Sequence, residues 1–253
     1  MAEGKLKIDI RRKKILEILK RDGKVFVSEL CKTLGVTPVT IRTDLDTLES
    51  DGYVERISGG AVYLGDGASL RTDIPKLHEK EEIAEKVVAM IKDGDTVFIN
   101  SGTTTEVVAS ALMVRHGLNI VTNSLAAAAA LRGASSFRII MLGGELNAQY
   151  GFTYGADAEE KLGSIHADWA ILSVDGVSAD SGITTYHAEE AAINRIMIER
   201  SERALITADY TKIGRTGFMK ICDTRADIAI VTNTDSDTAE LSRLSECGVL
   251  VIK

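Results

Sequence analysis

Asp95-Thr96-Val97-Phe98-Ile99-Asn100-Ser101-Gly102-Thr103-Thr104-Thr105-Glu106 is the stretch from which the rest of the chain can be read. Thr96 to Ile99 is a β-prone apolar run set directly after the turn signal Asp93-Gly94, and it is long enough for one buried strand. The run stops at Asn100-Ser101-Gly102, and three threonines lead into a helix-compatible segment, residues 106–115. A strand that ends in a glycine- and hydroxyl-rich turn and then opens a helix is a natural anion site. The free N–H groups of a helix N-terminus and the threonine hydroxyls all donate toward phosphate oxygens. Gly102 lets the backbone come close to a ligand with no Cβ in the way. The plainer reading of the same residues is a Ser/Thr cap on an ordinary helix.

Outward from this stretch the same grammar repeats. Strands are predicted at residues 96–99, 119–121, 138–142, 169–174, 204–207, 228–231 and 249–252. Helices are predicted at 79–91, 106–115, 125–131, 158–162, 189–201 and 238–245. Short apolar strands alternating with helices predict a mostly parallel sheet covered on both faces. Nearly every polar cluster follows a strand: Ser101 to Thr105, Thr122-Asn123-Ser124, Gly143-Gly144-Glu145, Asp175-Gly176, and Asp209 with Lys212. In an open α/β sheet, ligands bind outside the carboxyl ends of the strands. The Ser101–Thr105 loop suits a phosphate, Lys212 a compensating charge, and Asn123, Ser124, Glu145 and Asp175 the hydroxyls of a sugar. Taken singly, Asp175-Gly176 also reads as a turn, Asp209 as a cap and Lys212 as a solvated surface residue.

The first sixty residues differ in kind. Residues 1–60 carry 12 Lys/Arg against 10 Asp/Glu, while the whole chain of 253 residues has a net charge of −7. A basic N-terminal end on an acidic body suggests an anionic partner for that end alone. Residues 10–21 form an amphipathic pattern closed by Gly23, and Val25-Phe26-Val27 reads as a short link. Ser28 is expected to cap a second helix, 29–34, that stops at Gly35. Thr37 caps a third helix that opens on Pro38 and ends at Asp51-Gly52. In it Ile41, Leu45 and Leu48 fall on one face, leaving Val39, Thr40, Arg42 and Thr43 outward. Residues 53–60 read as a hairpin wing. Helix, short helix, Gly-containing turn, polar-faced helix and wing make a winged helix-turn-helix, with a three-helix interaction module as the plainer alternative.

At this point the resemblance becomes specific. Arg12, Ile15, Leu30, Leu34-Gly35-Val36-Thr37, Thr40-Ile41-Arg42, Asp44-Leu45, Leu48, Gly52, Arg56 and Gly59-Gly60-Ala61 resemble the DNA-binding domain of DeoR-family bacterial repressors. Thr43 stands where that family usually shows a second arginine, so the family's operator preference does not carry over. The resemblance extends over Ser101-Gly102-Thr103-Thr104, Val121-Thr122-Asn123-Ser124, Leu142-Gly143-Gly144, Gly155, Asp168, Asp175-Gly176, Gly182, Asp209 and Lys212. It implies an effector domain similar in fold to ribose-5-phosphate isomerase and a phosphorylated sugar or related metabolite as the ligand.

The expected organisation is a winged helix-turn-helix at 1–62, a linker at 63–78 centred on Gly65 to Ser69, and an α/β effector domain at 79–253. The expected function is repression of carbohydrate-metabolism genes under control of a sugar phosphate. Operator DNA is its macromolecular partner, contacted by Thr37, Val39, Thr40, Arg42 and Thr43 at the bases and by Lys13, Lys14 and Arg56 at the phosphates. A homodimer or homotetramer is expected, since one recognition helix is too small for tight specific binding. The competing class is a sugar-phosphate isomerase with a DNA-binding appendage, for which Glu145, Asp175 and Glu189 are candidate bases. No cofactor is expected. His78, His116, His166 and His187 lack ligand spacing, so no metal is expected either. Cys31, Cys222 and Cys247 lack CxxC spacing and read as buried thiols. No apolar run approaches the roughly 18 residues of a membrane span, and the charged N-terminus has no signal core, so a cytoplasmic location is expected.

Overall fold

The computed structural model describes residues 2–50, 53–57, 59–63 and 74–253, with residues 2–10, 50 and 55 described by backbone only. The expected helix end at Asp51-Gly52 and the linker centred on Gly65 to Ser69 lie outside the described residues. The chain divides into two compact units, Met1–Pro75 and Lys76–Lys253.

The first unit runs α1 (Ala2–Asp22), β1 (Lys24–Phe26), α2 (Val27–Leu34), α3 (Pro38–Ser50), β2 (Val54–Ile57) and β3 (Gly60–Tyr63). Its core is the apolar stripes that the spacing predicts: Ile15, Leu16 and Leu19 of α1, Leu30 of α2, and Ile41, Leu45 and Leu48 of α3, all buried. Gly35 ends α2 in the left-handed conformation at φ 66° and donates its N–H to the Cys31 carbonyl, a geometry that favours glycine. Thr37 caps α3, its Oγ1 accepting the Thr40 N–H at 3.3 Å. Two expectations change. Ser28 lies inside the first turn of α2, because the chain passes from β1 into the helix at Phe26 with no intervening cap. Val25-Phe26 is no mere link: β1 pairs antiparallel with β3, so the wing is a three-stranded sheet of order β1-β3-β2. Gly60 permits that pairing, since a Cβ there would lie 2.0 Å from the Val25 carbonyl oxygen.

The second unit runs α4 (Leu77–Met90), β4 (Thr96–Ile99), α5 (Thr103–Ala111), β5 (Asn119–Thr122), α6 (Leu125–Ala130), β6 (Arg138–Met141), β7 (Glu145–Asn147) and β8 (Phe152–Tyr154). It continues through α7 (Ala156–Gly163), β9 (Ala167–Ser173), β10 (Gly176–Ser178), β11 (Gly182–Thr185), α8 (Ala188–Glu199) and β12 (Ser201–Thr207). Last come β13 (Met219–Cys222), β14 (Ile228–Val231), α9 (Thr238–Glu246) and β15 (Leu250–Ile252). Seven strands form one sheet of order β15-β14-β12-β9-β4-β5-β6, and every pair in it is parallel. From β4 the chain winds outward through β5 and β6, then returns to the other side of β4 at β9 and winds away through β12, β14 and β15. The switch point therefore lies between the carboxyl ends of β4 and β9, where open sheets of this kind form their crevice. One face packs Phe98, Val121, Ala170, Leu172, Ile206 and Ile230 into a core with Ile193 and Met197 of α8.

The structure moves several predicted boundaries. Helix α5 begins at Thr103, so the three threonines form its first turn and do not precede it. The β7–β8 hairpin and the antiparallel sheet β10-β11-β13 were not legible in the strand pattern. Each of these strands is three or four residues long, and β11 finds its second partner only through the return of the distant β13. None of the cysteines is buried: Cys31 and Cys222 are half-buried and Cys247 is exposed. Partial burial still pushes the Cys222 thiol up to about 11. Among the described residues no helix is long and apolar enough to cross a membrane, and no cluster of His, Cys, Asp or Glu has metal-site geometry.

Candidate functional site

Gly102 sets the geometry of the switch point. It caps α5 with φ 154° and ψ 153°, and a Cβ on it would lie 2.5 Å from Ser173 Cβ and 2.6 Å from Ser173 Oγ. The turn after β4 is thus pressed against the end of β9, two residues before Asp175. Within this first turn the hydroxyls divide. Thr105 Oγ1 lies 3.0 Å from both the Asn100 and the Gly102 carbonyl oxygens. Ser101 Oγ donates to Glu190 Oε1 at 3.0 Å. A hydroxyl has one proton, so these two are committed as donors inside the protein. Thr104, only 4% exposed, makes no side-chain hydrogen bond among the described residues. Thr103 Oγ1 accepts from Lys80 Nζ at 2.7 Å, which leaves the Thr103 proton to donate elsewhere. Lys80 itself is 4% exposed and belongs to α4. A near-buried ammonium and a donor hydroxyl meet at the helix N-terminus, with Thr104 next in the same turn.

On the β9 side a chain of polar contacts continues from Ser101. Glu190 Oε2 accepts from Thr185 Oγ1 at 2.6 Å, and the same hydroxyl lies 3.0 Å from Asp175 Oδ2. Asp175 Oδ2 also accepts the Tyr186 N–H at 3.0 Å, and Lys212 Nζ stands 3.5 Å from Asp175 Oδ1. One Thr185 proton thus serves two carboxylates, with a lysine at the end of the chain. Beneath it Asn100 bonds Ser173 through both amide ends and donates to Asn194 Oδ1 at 3.0 Å.

The remaining predicted residues occupy neighbouring strand ends. Asn123, after β5, donates to the Thr153 carbonyl at 3.0 Å, and Ser124 caps α6 by accepting the Ala127 N–H. Gly143, Gly144 and Glu145 follow the edge strand β6 and are exposed. Glu145 accepts from the Tyr154 hydroxyl at 3.2 Å, and its charge raises the Tyr154 phenol above its ordinary value. Asp209, after β12, accepts the Thr211 N–H at 2.9 Å and the Thr211 hydroxyl, so it organises the turn that carries Lys212. The structure gathers Gly102 to Thr104, Asp175 and Lys212 around the switch point. Gly143 to Glu145 lie two strands from β4 on one side, and Asp209 lies two strands away on the other.

Lys80, Glu190 and Asn194 escaped the residue-by-residue reading, yet each carried a signal. Lys80 falls on the stripe of Ile83, Ala84 and Val87, and Glu190 and Asn194 fall on that of Ile193, Met197 and Ile198. Polar residues on the buried stripe of a helix need internal partners, and here those partners line the site.

In the first unit α3 presents Val39, 69% exposed, together with exposed Thr37, Arg42 and Thr43 and half-buried Thr40. Lys13 and Lys14 are exposed on α1. The Arg56 guanidinium is engaged by Asp46 and by the Gly60 carbonyl at 3.0 Å, fastening the wing to α3. Asp44, 1% exposed, is gripped by Arg11 and Arg12. That ion network locks α1 to α3 and so sets the angle at which α3 is offered.

Comparison with known proteins agrees with this two-part architecture. The chain is 32% identical to the glycerol-3-phosphate regulon repressor of Escherichia coli (strain K12), over 93% of this chain and 95% of that protein. It is also 32% identical to the lactose phosphotransferase system repressor of Lactococcus lactis subsp. lactis, over 93% and 95%. Among solved structures it is similar to ribose 5 phosphate isomerase A from Neisseria gonorrhoeae, at 17% identity and a TM-score of 0.39, covering 53% of this chain and 52% of that one. A likeness that distant bears on neither activity nor ligand. Residues 11–66 match the DeoR-like helix-turn-helix domain and residues 76–234 match the DeoR C terminal sensor domain. The chain belongs to the DeoR family of helix-turn-helix transcriptional regulators.

Proposed function

We propose that the chain represses carbohydrate-metabolism genes by binding operator DNA through its winged helix-turn-helix, under control of a phosphorylated sugar or related metabolite bound at the β4–β9 switch point. The observation that carries the ligand half is the first turn of α5, where Lys80 meets the Thr103 hydroxyl beside Thr104 and the orphan N–H groups. Phosphate oxygens are the acceptors such a set of donors fits. Asp175, Glu190 and Lys212 then face the carbon chain of the ligand, with Asn123, Ser124, Gly143, Gly144, Glu145 and Asp209 shaping the adjoining strand ends. Relatives named for a glycerol-3-phosphate regulon and a lactose phosphotransferase system support the metabolic setting.

On the DNA side, Arg42, Thr40, Thr43, Val39 and Thr37 address the major groove, and Lys13 and Lys14 the phosphates. Arg56 supports the wing and reaches phosphate only with N–H groups left over from its internal contacts. The protein acts as at least a homodimer in the cytoplasm, and the sensor unit binds its ligand without converting it. Fluorescence anisotropy on operator DNA, titrated with a panel of sugar phosphates and run beside an isomerase assay on the same samples, tests the whole reading. One sugar phosphate is expected to shift operator affinity with no turnover. Conversion at about one per second or faster would instead make the protein an enzyme.

A further inference from the structure

Two fully buried side chains near the switch point each hold one polar atom with no hydrogen-bond partner among the described residues: Asn123 Oδ1 and Asn194 Nδ2. Their amide orientations are fixed by their neighbours. Asn100 Oδ1 accepts the Ser173 N–H, so Asn100 Nδ2 must be the atom that donates to Asn194 Oδ1, and Asn194 Nδ2 is left over. Asn123 Nδ2 donates to the Thr153 carbonyl, which leaves its Oδ1. The two atoms share one side of the sheet. Ile99 pairs with Thr122, so Asn100 and Asn123 follow at the same level on adjacent strands. Phe98 and Val121, two residues earlier on each strand, both enter the core that packs on α8. Asn194 comes up from α8 on that side to meet Asn100.

An unpaired buried amide atom is costly, and native structures rarely leave one without a partner. The leftover pair is one acceptor, on the residue after β5, and one donor, on the side chain that meets the residue after the neighbouring strand β4. A hydroxyl matches that pair, because it donates one proton and accepts through its lone pairs. A carbonyl or phosphate oxygen would satisfy Asn194 and set a second acceptor against Asn123. An ammonium would do the reverse.

We propose that Asn194 Nδ2 and Asn123 Oδ1 together form a subsite that reads one hydroxyl of the effector's carbon chain. This rests on the sugar-phosphate reading above, with the phosphate held at the first turn of α5. It makes Asn194 a specificity-determining residue and accounts for a polar residue on the buried stripe of α8. It also places discrimination between effectors at the sheet side of the site and common phosphate affinity at α5.

The test is calorimetric titration of the full chain and of Asn194→Asp with inorganic phosphate, glycerol 3-phosphate, ribose 5-phosphate and fructose 6-phosphate. Asn194→Asp keeps the acceptor that Asn100 uses, removes the unpaired donor and adds a carboxylate charge, while Asn194→Ser removes that donor without adding charge. Whichever organic phosphate binds the wild type is expected to lose about tenfold in affinity, with inorganic phosphate binding unchanged. If both classes bind as in the wild type while the melting temperature falls, the two amides serve an internal water and the proposal is wrong. Equal loss of inorganic and organic phosphate would assign Asn194 to the wall of the whole site and also overturn it. Should Asn194→Asp not fold, Asn194→Ser is expected to show the same split. A wild type that binds none of the four would defeat the effector reading itself, and this proposal with it.

Discussion

At the residue scale the sensor site depends on which hydroxyls keep a proton to give. Thr104 is surrounded by protein and makes no side-chain hydrogen bond among the described residues. Thr104→Asp would set a carboxylate where a phosphate dianion is to sit, and like-charge repulsion is expected to abolish the effector response. Operator affinity without effector should stay at the wild-type level, which anisotropy on the same DNA measures. Lys212 already faces Asp175 at 3.5 Å, so Lys212→Ala should act more mildly than Lys80→Met, whose lost charge-assisted bond is worth about 1.5–3 kcal/mol of ligand affinity. Titration with one sugar phosphate ranks the two. Gly102 is held in its conformation by its closeness to Ser173. Gly102→Ala should lower stability by about 1–3 kcal/mol. Gly143→Ala meets nothing within 4 Å and should fall within about 0.5 kcal/mol of wild type in a urea melt.

At the scale of the element the recognition helix is a rigid plate whose orientation comes from buried charge. Asp44 sits beneath its outward face and is held by two arginines of α1. Removing one partner of a buried ion network leaves the others uncompensated, so Asp44→Ala should destabilise the first unit by about 3–5 kcal/mol. A chemical melt followed by circular dichroism, read beside loss of operator binding, checks it. Arg42 projects outward from the same helix and should behave differently. Arg42→Ala should leave stability alone, weaken operator binding by about 1–3 kcal/mol and relax specificity at one base pair. Lys14→Ala should weaken binding to every sequence alike and flatten the salt dependence. A salt titration on operator and scrambled duplexes separates these two effects.

At the scale of the whole molecule, repression needs two half-sites and a way for the ligand to be felt at the DNA. A helix-turn-helix protein solves the first by pairing. Sedimentation is therefore expected to show at least a dimer at micromolar concentration, and a monomer both with and without DNA would refute this. Coupling is reciprocal. If an effector loosens operator binding by some factor, its own affinity must fall by the same factor when saturating operator is present. Calorimetry of the effector with and without the operator duplex measures both legs of that cycle.

Local chemistry by itself determined much of this protein. The 3.6-residue spacing of Ile41, Leu45 and Leu48 defined the buried face of the recognition helix, and Gly35, Thr37 and Pro38 defined the turn before it. Apolar runs that stop at Gly- and Asn-rich turns defined the seven parallel strands and the polar ends at which a ligand would sit. These features are legible because each is set by neighbours a few residues away. Only the tertiary structure decided which polar groups face one another. Ser101 gives its proton to Glu190, 89 positions along the chain. Asn100 meets Asn194 across 94, and Lys80 reaches Thr103 from another helix. The short strands β7, β8, β10, β11 and β13 were hidden for the same reason, since three or four residues acquire a strand's geometry only from a partner that the fold delivers. A side chain's type is written in its own position, whereas its free valence depends on what the rest of the chain has already claimed.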